Sequence, residues 1–400
     1  MKKKSVYLKL CLIRYTVLTF FVCTFVNLYS NEAETLNELR RNFVSAGIDE
    51  KLALLKSLPD SADINLIPLY KDVINYFHNS YEILSGDTRL LNIGIIAVKK
   101  IGELNEKSAV QDIRYLFSAV ENEDFKIACL KTLSVLIEKD SGFITYLNSR
   151  YDSGLSDLLA GKKLNINLLI SYAEALGNFA DASSFDVLFR TLLYPVSENL
   201  KKAVTNALNN ISFDYFYEIV GKKDEKNIQY IWTLYLLAKG NKNISSGGLG
   251  EITESVLSYG IEHLKTEPEN AEKLVLETLK TLSNLKWSKA SADVNKFFFF
   301  EQTAWKQGKI PSEVFIQVID CMGNLGTPES SRNLSILLGA LNSETEKTKQ
   351  YDESLILAVI TALGRLGDKT AFDYLLYVEY LDYSQTVKQA SRNAIEELKW

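Results

Sequence analysis

Ser354–Trp400 reads SLILAVITALGRLGDKTAFDYLLYVEYLDYSQTVKQASRNAIEELKW. Leu355, Ala358, Val359, Ala362, Leu363 and Leu366 recur at helical spacing along one stripe. Gly367 then stands where a helix needs a left-handed C-terminal residue, and Asp368 is placed to cap the next start. A second amphipathic run follows through Ala371, Leu375 and Val378, and a third begins after Ser384. In that third run Val387, Ala390, Ala394, Ile395 and Leu398 repeat Leu355, Ala358, Ala362, Leu363 and Leu366 at a shift of 32 residues. A period of this length means a copied helical hairpin, and copied hairpins stack.

The same helix end recurs upstream. Cys321-Met322-Gly323-Asn324-Leu325-Gly326-Thr327 matches Ala362-Leu363-Gly364-Arg365-Leu366-Gly367-Asp368 at an offset of 41. In the N-terminal half a block of 75 residues repeats: Ile101-Gly102 aligns with Leu176-Gly177, and Phe125, Ala128, Cys129, Leu133 and Leu136 fall on Leu200, Ala203, Val204, Leu208 and Ile211. The anchors form the series 58, 101, 133, 176, 208, 237, 282, 322, 363 and 395. Glycine follows the anchor at 102, 177, 323 and 364, with Ser283 in that place at 282. A residue without a Cβ there lets one hairpin approach the next. Arg365, one residue on, is expected to face solvent.

These motifs resemble the HEAT-repeat family, in particular the short bacterial HEAT-like repeats of PBS-lyase type. The family's helix ends in A-L-G-x-L-G-D with alanine and leucines beyond, matched here by Ala362–Asp368, Ala371 and Leu375. The match is close over 310–400, looser over 90–215 and poor over 215–310. The resemblance implies an all-α fold, an α-solenoid of about nine or ten stacked HEAT-like hairpins, used for protein binding or assembly. Its motif positions are structural, so it transfers no catalytic residue.

The chain has 400 residues, 46% hydrophobic and 24% charged, enough to bury a large core. Residues 1–30 hold five basic residues and no acidic one; the remainder has ten more acidic than basic residues. An acidic body gives no electrostatic reason to bind nucleic acid. The basic start, the apolar run Tyr15–Val26 and Ser30 before a polar NEAETLNE read as a secretory signal. Arg14 ends the apolar run short of the roughly 20 residues a membrane span needs. Any membrane association is then through this signal or an anchor segment. Cys23 lacks the small residues that a lipidation motif carries before its cysteine. Cys129 and Cys321 lie on apolar helix faces far apart in sequence, which predicts two buried small hydrophobes and no disulfide.

Domain organisation follows: 1–30 signal peptide, 31–240 N-terminal repeats, 241–310 divergent repeats with a glycine-rich loop, 311–400 C-terminal repeats. The loop is GNKNISSGGLG at 240–250, and Asn342–Asp352 is expected as a second polar loop. Phe297–Phe300 covers a whole helical turn, so one or two rings must leave the core stripe; a helix enclosed by a divergent repeat is the expectation there.

Chemistry is sparse. His78 and His263 have no partner at metal-ligand spacing, no nucleophile elbow is present, and Gly247-Gly248-Leu249-Gly250 lacks the third glycine of a dinucleotide loop. No cofactor is implied. Aromatic residues give the candidate binding surface. With Ala371, Leu375 and Val378 in the core, Asp373, Tyr377 and Tyr380 point outward, and Tyr115 stands fourteen residues after its anchor as Tyr377 does. Exposed tyrosine buries much area on binding at little entropic cost. The sequence thus predicts an exported, non-enzymatic scaffold in a bacterial envelope, binding a protein partner through a groove with Tyr115, Asp373, Tyr377 and Tyr380. The competing class is an enzyme on a helical-repeat fold, which would need a pocket with convergent polar groups.

Overall fold

The computed structural model describes residues 33–59, 64–84, 86–221 and 227–399. The expected signal at 1–30, with Cys11 and Cys23, lies outside the described residues. Among those described the fold is all-helical; an isolated bridge between Asp368 and Lys399 stands outside any strand. The helices fall into two compact units, one ending at Ser212 and one beginning at Phe213.

The first unit comprises α1 (33–45), α2 (Ile48–Ser57), α3 (Ile67–Leu84), α4 (Thr88–Glu103), α5 (Val110–Ala119), α6 (Glu123–Leu136), α7 (Ser141–Leu159), α8 (Ile166–Phe179), α9 (Phe185–Leu192) and α10 (Glu198–Asn210). The second comprises α11 (Tyr215–Gly221), α12 (Ile228–Gly240), α13 (Ser246–His263), α14 (Pro268–Leu285), α15 (Ser291–Lys306), α16 (Ser312–Leu325), α17 (Pro328–Thr348), α18 (Glu353–Leu366), α19 (Phe372–Tyr377) and α20 (Gln385–Glu396).

One packing rule holds inside each unit. Even-numbered helices form a row: α2, α4, α6, α8 and α10 in the first, then α12, α14, α16, α18 and α20 in the second, each packed on the next. From α3 onward every odd helix packs on the even helix that follows it. Extensive contacts among the described residues join helices one or two apart in order, and none reaches further.

All ten sequence anchors fall at the C-terminal ends of the ten even helices, from Leu58 capping α2 to Ile395 in α20. The eight interior ones, Ile101 to Leu363, are buried; Leu58 and Ile395, at the two ends of the series, are half-buried. The glycine after the anchor has its steric reason. A Cβ on Gly177 of α8 would lie 2.6 Å from the Cα of Ala207 in α10, and one on Gly323 of α16 would lie 3.0 Å from the Cα of Ala362 in α18. Gly364 is looser, 3.2 Å from the Cα of Ala394. In each case the facing residue stands one before the next anchor.

Helix ends follow the expected chemistry. Gly326 and Gly367 are left-handed, with φ of 73° and 63°, and Asp368 accepts from the Thr370 amide. The corresponding places in α4, α8 and α14 are also left-handed but hold Asn105, Ala180 and Lys286. Starts are capped by short polar side chains, Asp87 at α4, Asn122 at α6, Asp352 at α18 and Ser384 at α20.

Two loop expectations fail. The glycine-rich stretch 240–250 is a loop only over 241–245, because Ser245 caps α13 by accepting from the Gly248 amide and the glycines fill the helix's first turns. Gly250 is there for packing: a Cβ would lie 2.5 Å from the Trp287 indole, whose Nε1 donates to Glu254 at 2.7 Å. Asn342–Asp352 is likewise helical through Thr348. Two of its polar residues are buried: Asn342 and Thr345 both accept from the buried Tyr383 hydroxyl, at 3.0 and 3.1 Å, while Ser343, Glu344 and Glu346 face solvent.

Candidate docking surface

The odd helices α15, α17 and α19 form an outer row in the second unit, each packed on the next. Uncharged side chains close the α15–α17 seam. Ser291 pairs with Thr327 at 2.8 Å, buried Asn295 donates to Ser330 at 3.3 Å, and Asn333 donates to Asn295 at 2.7 Å. These pairs advance together along both helices, so α15 and α17 run parallel. Between α17 and α19, Asn342 donates to the Tyr374 carbonyl and the Tyr377 hydroxyl donates to Glu346, each at 3.1 Å. Both rows are thereby held in register, and what each helix turns outward is fixed.

Outward lie large apolar side chains. Phe299 stands one turn beyond Asn295 on α15, and Ile336 and Ala340 stand one and two turns beyond Asn333 on α17; all three are exposed, Ile336 by 57%. Phe300, Leu376, Tyr377 and Tyr380 are exposed too, Tyr380 by 75%. The phenylalanine run therefore splits two in and two out: Phe297 and Phe298 are buried, with Phe298 stacked on Phe315, while Phe299 and Phe300 are about half exposed. The helix is not enclosed: among the described residues its extensive packing is on α13, α16 and α17, and these leave Phe299 and Phe300 exposed.

Of the residues singled out in the sequence, the structure brings Tyr377 and Tyr380 together, ring centroids 6.5 Å apart on α19 and the turn after it. Asp373 is exposed on the same helix, and Ala371, Leu375 and Val378 are buried beneath. Tyr115 belongs to the first unit; it is exposed on α5 and leans on His78, rings 4.7 Å apart. Ile336 was missed, although it too stands fourteen residues after its anchor, Met322. Its aliphatic side chain does not stand out in the sequence of α17 as an off-stripe tyrosine does on α19.

Cys129 and Cys321 are free and buried, and burial pushes both thiols up, Cys321 to about 12. His263 engages the Tyr259 carbonyl at 2.8 Å and stacks on its ring. Among the described residues no group of three acids, histidines or cysteines is placed to hold a metal ion. Glu301 of α15 is 1% exposed, and its Oε2, like the Ser184 and Ser335 hydroxyls, has no hydrogen-bond partner. Burial, with Glu272 nearby, pushes its carboxyl up to about 7. Arg365 does not simply face solvent; it donates to Asp320 and Asn324 of α16 at 3.1 and 3.3 Å.

No helix among the described residues is long and apolar enough to cross a membrane. Compared with family models and with curated proteins, the chain matches none.

Proposed function

We propose that each unit is a stretch of HEAT-like α-solenoid and that the chain is an exported, non-enzymatic scaffold which binds a protein partner through the outer row of its second unit. The solenoid reading is supported by the packing rule: among the described residues extensive contacts join helices one or two apart in order, while a third neighbour is reached only by single side chains such as Phe77 of α3 on Phe125 of α6, and a small residue stands at one fixed place in the even row. The observation that carries the binding reading is the uncovered apolar set Phe299, Ile336, Tyr377 and Tyr380 on successive helices of one row. Single exposed apolar residues need no explanation, whereas a contiguous set on a soluble surface marks an interaction site. Tyrosine and phenylalanine are suited to it, giving large contact area for two side-chain torsions.

A photo-crosslinking amino acid at position 336, introduced in the native cell, should capture a discrete protein. The same group at Lys202, on the polar face of α10, should capture none. Equal capture at both positions, or none at 336, removes the binding reading. Export rests separately on the N-terminal pattern. The intact mass of the native protein should be short by the first thirty or so residues, and a full-length mass in the cytosol rules it out.

A further inference from the structure

The cleft at the C-terminal end of α17 has a chemistry that the apolar row beside it lacks. It has a volume of about 360 Å³, at the small end for ligand sites. Its floor is Leu341 and Ile356, its walls include Trp305 and Tyr351, and its acids are Glu344 and Asp352. Neither lysine nor arginine lines it. Both aromatic walls are fixed from behind. The Trp305 indole stacks on Phe315 and donates to Ser312 at 3.1 Å, and the Tyr351 hydroxyl accepts from the Ser384 amide at 2.9 Å.

The two acids differ. Burial works to raise the Asp352 carboxyl, but hydrogen bonds from Ser312, Ser354 and the Leu355 amide overrule it and hold it low. Asp352 therefore stays ionised, with its oxygens engaged at the start of α18. Glu344 is exposed, and among the described residues no ion pair involves it. It is the acceptor left open at the mouth.

We propose that this cleft receives a lysine or arginine side chain carried by the partner. This rests on the reading that the outer row docks a protein. An apolar stem fits the floor, a cation is attracted to the aromatic faces, and the head pairs with Glu344 in the field of Asp352. A hydrated divalent ion is a poorer occupant, because the cleft offers two carboxylates, one already engaged, and apolar walls. Glu344 follows Ala340 by one turn and Ile336 by two, so roughly 12 Å separates the apolar row from the acid at 1.5 Å per residue. The partner segment then presents apolar side chains followed by a basic one.

The test uses the full chain labelled with 5-fluorotryptophan, with the Trp305 resonance assigned by Trp305→Phe. N-acetyl-arginine amide and N-acetyl-lysine amide are titrated as probes, with N-acetyl-norleucine amide as the uncharged control. The Trp305 signal is expected to shift saturably with the basic probes, and the other tryptophan signals to stay in place. Glu344→Gln should weaken the response roughly two- to fivefold, the range of a partly exposed charge pair. Glu344→Lys should abolish it while the remaining signals report an intact fold. An equal shift with the norleucine probe, an unchanged titration in Glu344→Lys, or no shift with either basic probe overturns the proposal. Capture at position 336 is read independently, so a cleft that fails while capture succeeds leaves the docking surface standing without its basic anchor.

Discussion

Fourteen residues beyond the anchor, the two units make different use of the same outward position. In the first unit that place holds Tyr115 and Arg190. Tyr115 leans on His78, and Arg190 forms an ion pair with Asp152 of α7. In the second unit it holds exposed charges on α13 and α15, Glu251 and Lys296, and then Ile336, which is uncovered, and Tyr377 on α17 and α19. The seams differ in the same sense. Arg40–Asp72, Arg114–Asp140 and Arg190–Asp152 tie successive odd helices of the first unit, with a buried Tyr151–Thr191 hydroxyl pair beside the last, whereas α15 and α17 are joined by amides and hydroxyls without an ion pair among the described residues. A row sealed by exposed charges keeps its surface hydrated. A row sealed by buried neutral hydrogen bonds leaves its outward positions free for apolar residues, which is what the proposed docking on the second unit requires.

The largest expected effect breaks the units apart. Gly177→Leu drives a side chain into backbone that already lies 2.6 Å from an added Cβ. Overpacking of this kind should cost roughly 3 kcal/mol or more, since the backbone of α10 must move. Hydrogen exchange should speed up in α8 and α10 while α14 to α20 keep their protection. The milder Gly364→Leu should do the reverse, in the second unit and by less. Equal loss of protection in both units after either change would make the chain one cooperative body and end the comparison.

Next is a pH effect confined to the second unit. The Glu301 carboxyl has its value raised in the folded state to about 7, against roughly 4.3 for an unfolded chain. The folded state therefore holds the extra proton between these limits, and stability falls as pH rises through that window. That interval corresponds to on the order of 4 kcal/mol, most of it lost between pH 4 and pH 8. Denaturant unfolding of the second unit should show it, and Glu301→Gln should flatten it. A first-unit transition that moves equally in the wild-type protein, or a Glu301→Gln profile like the wild type, defeats the assignment.

Legibility in the sequence followed the physics of each position. The even row was readable because its packing demands a fixed residue type: glycine at 177, 323 and 364 meets backbone or an alanine, and few alternatives fit. The left-handed helix ends were readable only where glycine marks them. Asn105, Ala180 and Lys286 adopt the same conformation unannounced, because packing of the even row fixes the turn and overrides the cost to an L-residue. Polar helix was mistaken for loop where the partner is distant in sequence. Asn342 and Thr345 look solvated until Tyr383 is placed above them. The tyrosines of the candidate surface were legible from core arithmetic on α19, and the length of the phenylalanine run showed that one or two rings leave the stripe, but their open exposure and that of Ile336 were not legible, since these depend on what fails to pack against them.

The smallest effects test the seams themselves. Asn295→Ala removes a group that donates to Ser291 and Ser330 and accepts from Asn333, all in a buried setting. The groups left without partners should cost about 1–3 kcal/mol, insensitive to salt. Arg190→Ala in the first unit breaks an ion pair whose two side chains are nearly half exposed. Such pairs contribute roughly 0.2–1 kcal/mol, and at 1 M salt the Debye length of about 3 Å screens most of that. The wild type and Arg190→Ala should therefore unfold at nearly the same denaturant concentration in high salt and differ slightly in low salt. Asn295→Ala should remain displaced from the wild type by the same margin in both. If Asn295→Ala instead recovers in high salt, or Arg190→Ala stays displaced there, the two seams do not differ in kind, and the uncovered face of α15 and α17 needs another cause than the way its helices are joined.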